Sequence, residues 1–241
     1  MSNTTRPPSA KPLFKAISGK GRAKSSPAIA MFSDLPDQAK PLPEHERRAE
    51  DFYPTGQPEA IRSLFGYDGP RIRDSWSVWE PACGDGALVR EIRAMGMTCI
   101  ASDLVDRGCP DSTIANFYSA TRSPARAIIT NPPFCEISSK GGGRWLRHTL
   151  AMPGWDYLAL LLSWDWPAGR INGLGQLLDE QPCSWSYLMR WKLDFTGEGN
   201  PAQRNGWFVW DRRDPRGPTH PKLYGDFRMM DRIDPRQEVL I

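Results

Sequence analysis

The sequence predicts an α/β protein built on a doubly wound, mostly parallel sheet with an antiparallel hairpin at its C-terminal end. Three observations carry that reading. Short β-branched and apolar runs alternate with stretches of helical period between residues 75 and 180, the pattern of a sheet covered on both faces. A glycine turn joins the first strong strand to a helix. The last two strand-like runs, SYLMRWKLDF (186–195) and GWFVWD (206–211), have no helix between them, so they pair as antiparallel neighbours across TGEGNPAQRNG.

Each element follows from its residues. HERRAEDFYPTGQPEAIRSLF (45–65) leads into a helix whose apolar stripe is Ile61, Leu64 and Phe65, with Thr55 at its start and Pro58 in its first turn. Gly66 to Asp74 reads as a turn-rich connection. WSVWEP (76–81) is a strand, ALVREIRAM (87–95) a helix with Leu88, Ile92 and Met95 on one face, and Gly96 its terminator. TCIASD (98–103) and ARAIIT (125–130) are strands, GRWLRHTLAM (143–152) a helix and WDYLALLLSW (155–164) a buried strand. INGLGQLLDE (171–180) is a weaker helix.

Length and composition bound the rest. With 241 residues, 39% hydrophobic and 24% charged, the chain holds one α/β domain with a real core. No apolar run approaches the roughly 18 residues of a membrane span, and Leu13 to Ile17 is too short for a secretory signal. Five cysteines without C-x-x-C spacing and three scattered histidines predict reduced thiols, no metal site and a cytoplasmic protein. The net charge of +3 is unevenly spread. Residues 1 to 33 hold six basic residues and no acid, and the remainder carries 25 basic against 28 acidic residues, a net −3. Residues 1–45 therefore read as a basic tail without structure, and 46–241 as the folded domain. A solvated extension, a polyanion contact and an organellar transit peptide all fit such a tail.

Two stretches carry the chemistry. In EPACGDGALV (80–89), Gly84 and Gly86 allow a tight turn and close approach of a ligand to the main chain. A dinucleotide fingerprint would need a third small residue at position 89, where Val89 stands, and Asp85 puts a negative charge where a pyrophosphate would lie. Asp103, about 20 residues on at a strand end, suits a ribose diol. A cationic nucleoside without phosphates, S-adenosylmethionine, satisfies these features. In AIITNPPFCE (127–136), the strand must stop at Pro132 and Pro133, which cannot donate to a ladder. Those prolines fix Asn131 and the Pro132 carbonyl as a rigid pair of acceptors and present the ring of Phe134 beside them.

E-P-A-C-G-D-G followed by N-P-P-F resembles the class I S-adenosylmethionine-dependent methyltransferases, and more narrowly the small phage and bacterial N6-adenine DNA methyltransferases, over residues 50 to 213. The resemblance implies their Rossmann-like fold, S-adenosylmethionine as cofactor and DNA as partner, with RNA as the alternative. It implies that Glu80, Pro81, Ala82, Cys83, Gly84 and Gly86 line the methionine end of the cofactor, that Asp103 binds its ribose, and that Leu104 packs against its adenine. Asn116 and Phe117 would hold the adenine edge, although many relatives carry Asp where this chain has Asn116. DFYPT, with Tyr53 and Thr55, is similar to the family's segment that closes over the cofactor. WFVWDR (207–212) is similar to its aromatic C-terminal strand. Larger relatives carry a separate target-recognition domain, for which 241 residues leave no room.

An aromatic exocyclic amine is a weak nucleophile because its lone pair is delocalised into the ring. Two acceptors that bond its hydrogens, Asn131 and Pro132, hold the nitrogen nearer tetrahedral, while Phe134 stacks on the extruded base. Relatives that act on cytosine usually carry Ser before the prolines, so with Asn131 the resemblance implies adenine as the target. CEISSKGGGR (135–144) reads as a mobile loop over the site. Trp164 and Trp166 stack bases or fill the core, and Arg212, Arg213 and Arg216 form a solvated face or a DNA contact. Two rivals remain: an RNA-base or protein-glutamine methyltransferase of this fold, and a binding protein without turnover. Phe134, where glutamine-modifying relatives usually carry Tyr, counts against the glutamine variant.

Overall fold

The computed structural model describes residues 55–138, 140–169, 171–195, 199, 201, 203–214 and 226–237. The basic tail, Tyr53 and Arg216 lie outside them.

Helix α1 (Glu59–Arg73) precedes β1 (Ser77–Glu80), α2 (Ala87–Ala94), β2 (Thr98–Asp103) and the short β3 (Thr113–Ile114). β4 (Ala127–Thr130), α3 (Phe134–Ile137), α4 (Arg144–Ala151) and β5 (Tyr157–Ser163) follow, then α5 (Leu174–Glu180), β6 (Trp185–Met189), β7 (Asn205–Asp211) and β8 (Asp226–Met230). Among the described residues these strands form one eight-stranded sheet in the order β3-β2-β1-β4-β5-β7-β6-β8. β7 runs antiparallel to both β5 and β6, and every other pairing is parallel. The doubly wound sheet and the antiparallel pairing of β6 with β7 are as the sequence predicts. The return strand inserts between β5 and β6, and its Trp207 and Phe208 pair with Leu161 and Leu160.

Alternation along the strands divides the core in two. Ala127 and Ile129 face a cluster with Ile61, Leu64, Leu88, Trp185 and Trp207. Ile128 faces the opposite one, with Trp79, Trp145, Leu160, Phe208 and Trp210. β4 and β5 are buried on both faces apart from the half-buried Ser163, which is why both read as continuous apolar runs.

Four sequence expectations change. The turn-rich connection of 66–74 is helical, and α1 runs through Gly66, Gly69 and Pro70 to Arg73. Local propensity is overridden by burial. The Asp68 carboxylate, only 3% exposed, accepts from Tyr187 Oη at 2.6 Å, Tyr157 Oη at 2.8 Å and Trp185 Nε1 at 3.0 Å. At Gly66, a Cβ would lie 2.9 Å from Ile233 Cγ2, so glycine lets the C-terminal segment cross the helix. Thr55 and Pro58 do not cap α1 by a side chain: Pro58 is the N-cap residue, and Thr55 is bonded elsewhere. Residues 190–195 leave the sheet after Met189, and DFRMM, unread as a strand, pairs with β6 as β8.

Replacing Asp68 with alanine strands two phenols and one indole N–H in the core, so the loss is expected to be about 3–5 kcal/mol by urea denaturation. Arg190→Ala, which breaks an exposed pair with Asp231, should cost less than about 1 kcal/mol. Similar losses for the two variants would contradict the placement of Asp68.

Candidate active site at the strand tips

β1 continues through α2 to β2 on one side, and β4 continues through α3 and α4 to β5 on the other. The order reverses between β1 and β4, so a crevice opens at their carboxyl ends. Of the sequence-predicted residues, Glu80 to Gly86 follow from β1, Asp103 and Leu104 lie at the end of β2, Asn116 and Phe117 follow β3, and Asn131 to Phe134 follow β4.

Glu80 ends β1 and is completely buried. Its Oε1 accepts from Ala82 N at 3.0 Å, and its Oε2 has no hydrogen-bond partner. Burial pushes the carboxyl from its ordinary value of 4.5 up to about 8, against the opposing influence of the Ala82 N–H and of Thr130, whose hydroxyl lies nearby without reaching hydrogen-bond geometry. Pro81 and Cys83 are buried, and burial raises the Cys83 thiol far above the usual range. Gly84, at φ 54°, turns its N–H onto Asp103 Oδ2 at 2.8 Å. Asp103 Oδ1 accepts from Val105 N at 3.2 Å. Each oxygen keeps a lone pair for a further donor. Gly86, at φ 81°, is required for a second reason: a Cβ there would lie 2.8 Å from Cys109 Sγ. Leu104, beside the acid, is 66% exposed, an apolar surface that a flat ring would cover.

At the tip of β4, Asn131 Nδ2 donates to Thr55 Oγ1 at 3.2 Å. That bond fixes the amide plane and turns its oxygen the other way. Pro133 is extended, with φ −58° and ψ 126°, and Phe134 opens α3. CEISSKGGGR is thus not a loop from its start. Cys135 to Ile137 form a helical turn, Ile137 is fully buried, and Trp166 Nε1 donates to Ile137 O at 2.8 Å. An apolar residue one turn from the motif was the available signal.

The adenine-edge pair is arranged differently from the rest. Asn116 Oδ1 accepts from Tyr118 N at 3.0 Å and caps a short 3-10 turn, Phe117–Ser119. Phe117 is a core residue: its ring stacks on Trp145 with centroids 4.4 Å apart and planes 6° apart, with Trp79 at 5.5 Å. Tyr118, which the sequence reading passed over, donates to Glu136 Oε2 at 2.5 Å and lies under the Arg144 guanidinium at 4.0 Å. It thereby links the turn after β3 to the helical turn after β4. Arg212 and Arg213 are engaged by the fold. Arg212 covers the Trp155 ring at 3.7 Å and donates to Leu150 O, while Arg213 bonds Asp211.

No protein-family model matches the sequence, and no curated protein matches it. Solved structures do resemble the fold. A candidate class I S-adenosylmethionine-dependent methyltransferase from Listeria monocytogenes is 12% identical, with a TM-score of 0.49 over 76% of this chain and 68% of that one. A candidate RNA methyltransferase from Pyrococcus horikoshii is 10% identical, with a TM-score of 0.48 over 63% and 82%. The modification subunit of a candidate type I restriction enzyme from Vibrio vulnificus is 14% identical, with a TM-score of 0.43 over 72% and 47%, so this chain spans about half its length. The crevice is placed by the strand order of this chain, not by these likenesses.

Glu80 has a measurable signature. Its folded-state carboxyl keeps a proton that the unfolded chain releases between about pH 4.5 and 8, so it lowers stability as pH rises through that window. In ligand-free protein, Glu80→Gln should gain stability over wild type from pH 5 to pH 8, by at most about 4 kcal/mol. Thermal unfolding at several pH values reads it, and a pH-independent difference would contradict the raised carboxyl.

Proposed function

We propose that residues 46–241 form a catalytic unit that transfers the methyl group of S-adenosylmethionine to the N6 amine of adenine in DNA. The observation that supports it most is the amide of Asn131, held by Thr55 at the end of a strand that two prolines terminate. When bound, the cofactor supplies a sulfonium-activated methyl group.

The residues present fit that cofactor. The partnerless Glu80 oxygen lies beside the glycine turn and suits a cationic ligand. Asp103, already carrying two backbone N–H groups, accepts a ribose hydroxyl. Leu104 offers the adenine its apolar surface, and the Asn116 amide, whose oxygen is engaged, offers its nitrogen to a ring acceptor. Phe117 would support this pocket from within the core rather than touch the ligand edge.

The acceptor chemistry falls to the second tip. Asn131 Oδ1 and the Pro132 carbonyl accept the two amine hydrogens and favour a pyramidal nitrogen with its lone pair available. Alignment supplies most of the acceleration, so no strong base is required. Phe134, half-buried at the start of α3, gives a purine a face to stack on. The basic tail adds attraction to phosphate.

Asn131→Ala should abolish transfer while leaving cofactor affinity within about threefold, because the residue serves the amine. Phe134→Trp should retain more activity than Phe134→Ala. Asp103→Ala should weaken cofactor binding by about 1–3 kcal/mol in calorimetry. The test of substrate is incubation with labelled cofactor and unmethylated DNA, digestion to nucleosides and chromatography. Label in cytosine, in RNA alone or in protein glutamine would overturn the proposal.

A further inference from the structure

Beside the strand-tip site lies a cavity of about 360 Å³ that none of the roles above uses. Its walls are Trp164, Trp166, Phe208 and Trp210, with Ala168 at the rim and Ser186 at the base. Trp164 stacks on Phe208 with centroids 5.5 Å apart and planes 25° apart, and Trp166 meets the same ring edge-on at 5.4 Å. On the outer side Trp164 contacts Phe227, which is 55% exposed. The indoles of Trp166 and Trp210 already donate to Ile137 O and Gln181 O, so the cavity offers flat apolar faces rather than polar handles.

Its position is what gives it meaning. Thr130 at the tip of β4 pairs with Leu160, and β5 runs three residues further to Ser163. Trp164 therefore stands roughly 10 Å beyond the level of Asn131 along the strand direction, one strand over. Trp166 is tied by its indole to the helical turn that Phe134 opens. The backbone N–H of Trp164 donates to Arg204 O at 2.8 Å, and Arg204 is an exposed residue. The neighbouring acid, Asp165, accepts from the Ser163 hydroxyl. A stacking platform with an exposed guanidinium alongside is the arrangement that single-stranded nucleic acid uses, base on ring and phosphate on cation. The volume is at the small end of the range for organic ligands, which suits one flat heterocycle better than a peptide segment.

We infer that this aromatic cavity holds an unstacked nucleobase neighbouring the target, so that the substrate strand is bound in single-stranded or locally opened form. The inference rests on the nucleic-acid reading of the strand-tip site. Trp164 supplies the stack, the other rings shape the slot, and Arg204 meets the adjoining phosphate.

The test uses the full chain and single-stranded DNA oligonucleotides containing one adenine, with 2-aminopurine scanned through the flanking positions. Binding should quench the probe strongly at one fixed offset from the adenine. Trp164→Ala should abolish that quench and weaken oligonucleotide binding about tenfold, the scale of one lost base–aromatic stack. Trp164→Phe should preserve both. Ala168→Phe, a change at an exposed rim position, should fill the cavity and reproduce the alanine effect without removing a ring. Cofactor affinity should stay at the wild-type value in all three, and thermal unfolding should do so in Ala168→Phe, whereas Trp164→Ala removes a half-buried ring packed on Phe208 and Phe227 and should lower the melting temperature. Bound oligonucleotide whose quench is identical in Trp164→Ala and wild type would overturn the inference. Methyl label counted in the same samples separates the two readings: adenine labelled without a cavity-dependent quench refutes the cavity alone, whereas a cavity-dependent quench with no labelled adenine supports the cavity and refutes the methylation target. Absence of binding to any oligonucleotide would refute both.

Discussion

Much of this structure depends on one buried carboxylate receiving three neutral donors. Asp68 sits on α1 and its partners sit on β5 and β6, 89 to 119 residues away in sequence. A buried acid with fewer donors would be a liability, and burial still raises its pKa despite the bonds. Held this way, α1 is clamped across the first core with one register and one rotation. Trp207 Nε1 adds a second fastening at the other end of the helix by donating to Ala60 O at 3.0 Å. The chain preceding α1 then arrives at the carboxyl ends of the strands, where Thr55 reaches Asn131. The fold and the site are joined through that sequence of contacts: carboxylate, helix, hydroxyl, amide.

The two acids at the crevice show how burial alone separates roles. Glu80 is fully buried, with one backbone donor and one partnerless oxygen, and its carboxyl is pushed up to about 8. Asp103 is partly exposed and has a backbone N–H on each oxygen. A positive charge brought near Glu80 favours its ionised form and relieves the cost of burying it. Asp103 keeps a lone pair on each oxygen beside those two N–H groups. One acid is buried with a free lone pair and the other is partly exposed with both oxygens engaged by backbone N–H groups, although both follow strands of the same sheet.

The parts legible in the sequence were those governed by neighbours along the chain. Strand and helix periods, the glycine turn, the Asp103 spacing and the strand stop at Pro132 are local facts, and they placed the sheet and both tips. What was not legible depends on distant partners. Gly66 and Pro70 read as a break because nothing nearby announces that Asp68 will meet Tyr157, Trp185 and Tyr187. β8 is edge material whose pairing with β6 follows from Asp226–Met230 lying alongside Trp185–Met189, and its alternating Phe227, Arg228 and Met229 carry little β signal of their own. Phe117 looks the same in sequence whether it faces a ligand or stacks on Trp145. Only the packing decides.

The glycine turn shows how a small local change selects a ligand class. Asp85 Oδ1 accepts from Ala87 N at 3.0 Å, so an amide at the start of α2 that would otherwise face an anion is already taken. The same side chain brings a negative charge, with Arg90 at 3.8 Å as its partner. Val89, 1% exposed, fills the space where a third glycine would bring helix and strand closer together. Each substitution leaves the turn able to form, because Gly84 and Gly86 still supply the positive φ. Together they remove what a pyrophosphate needs while Asp103 stands at the next strand tip, bonded to Gly84 N. A turn of this kind disfavours dinucleotides by charge and by occupied donors, and favours a nucleoside whose remaining charge is positive, which is the sign that the buried Glu80 also favours.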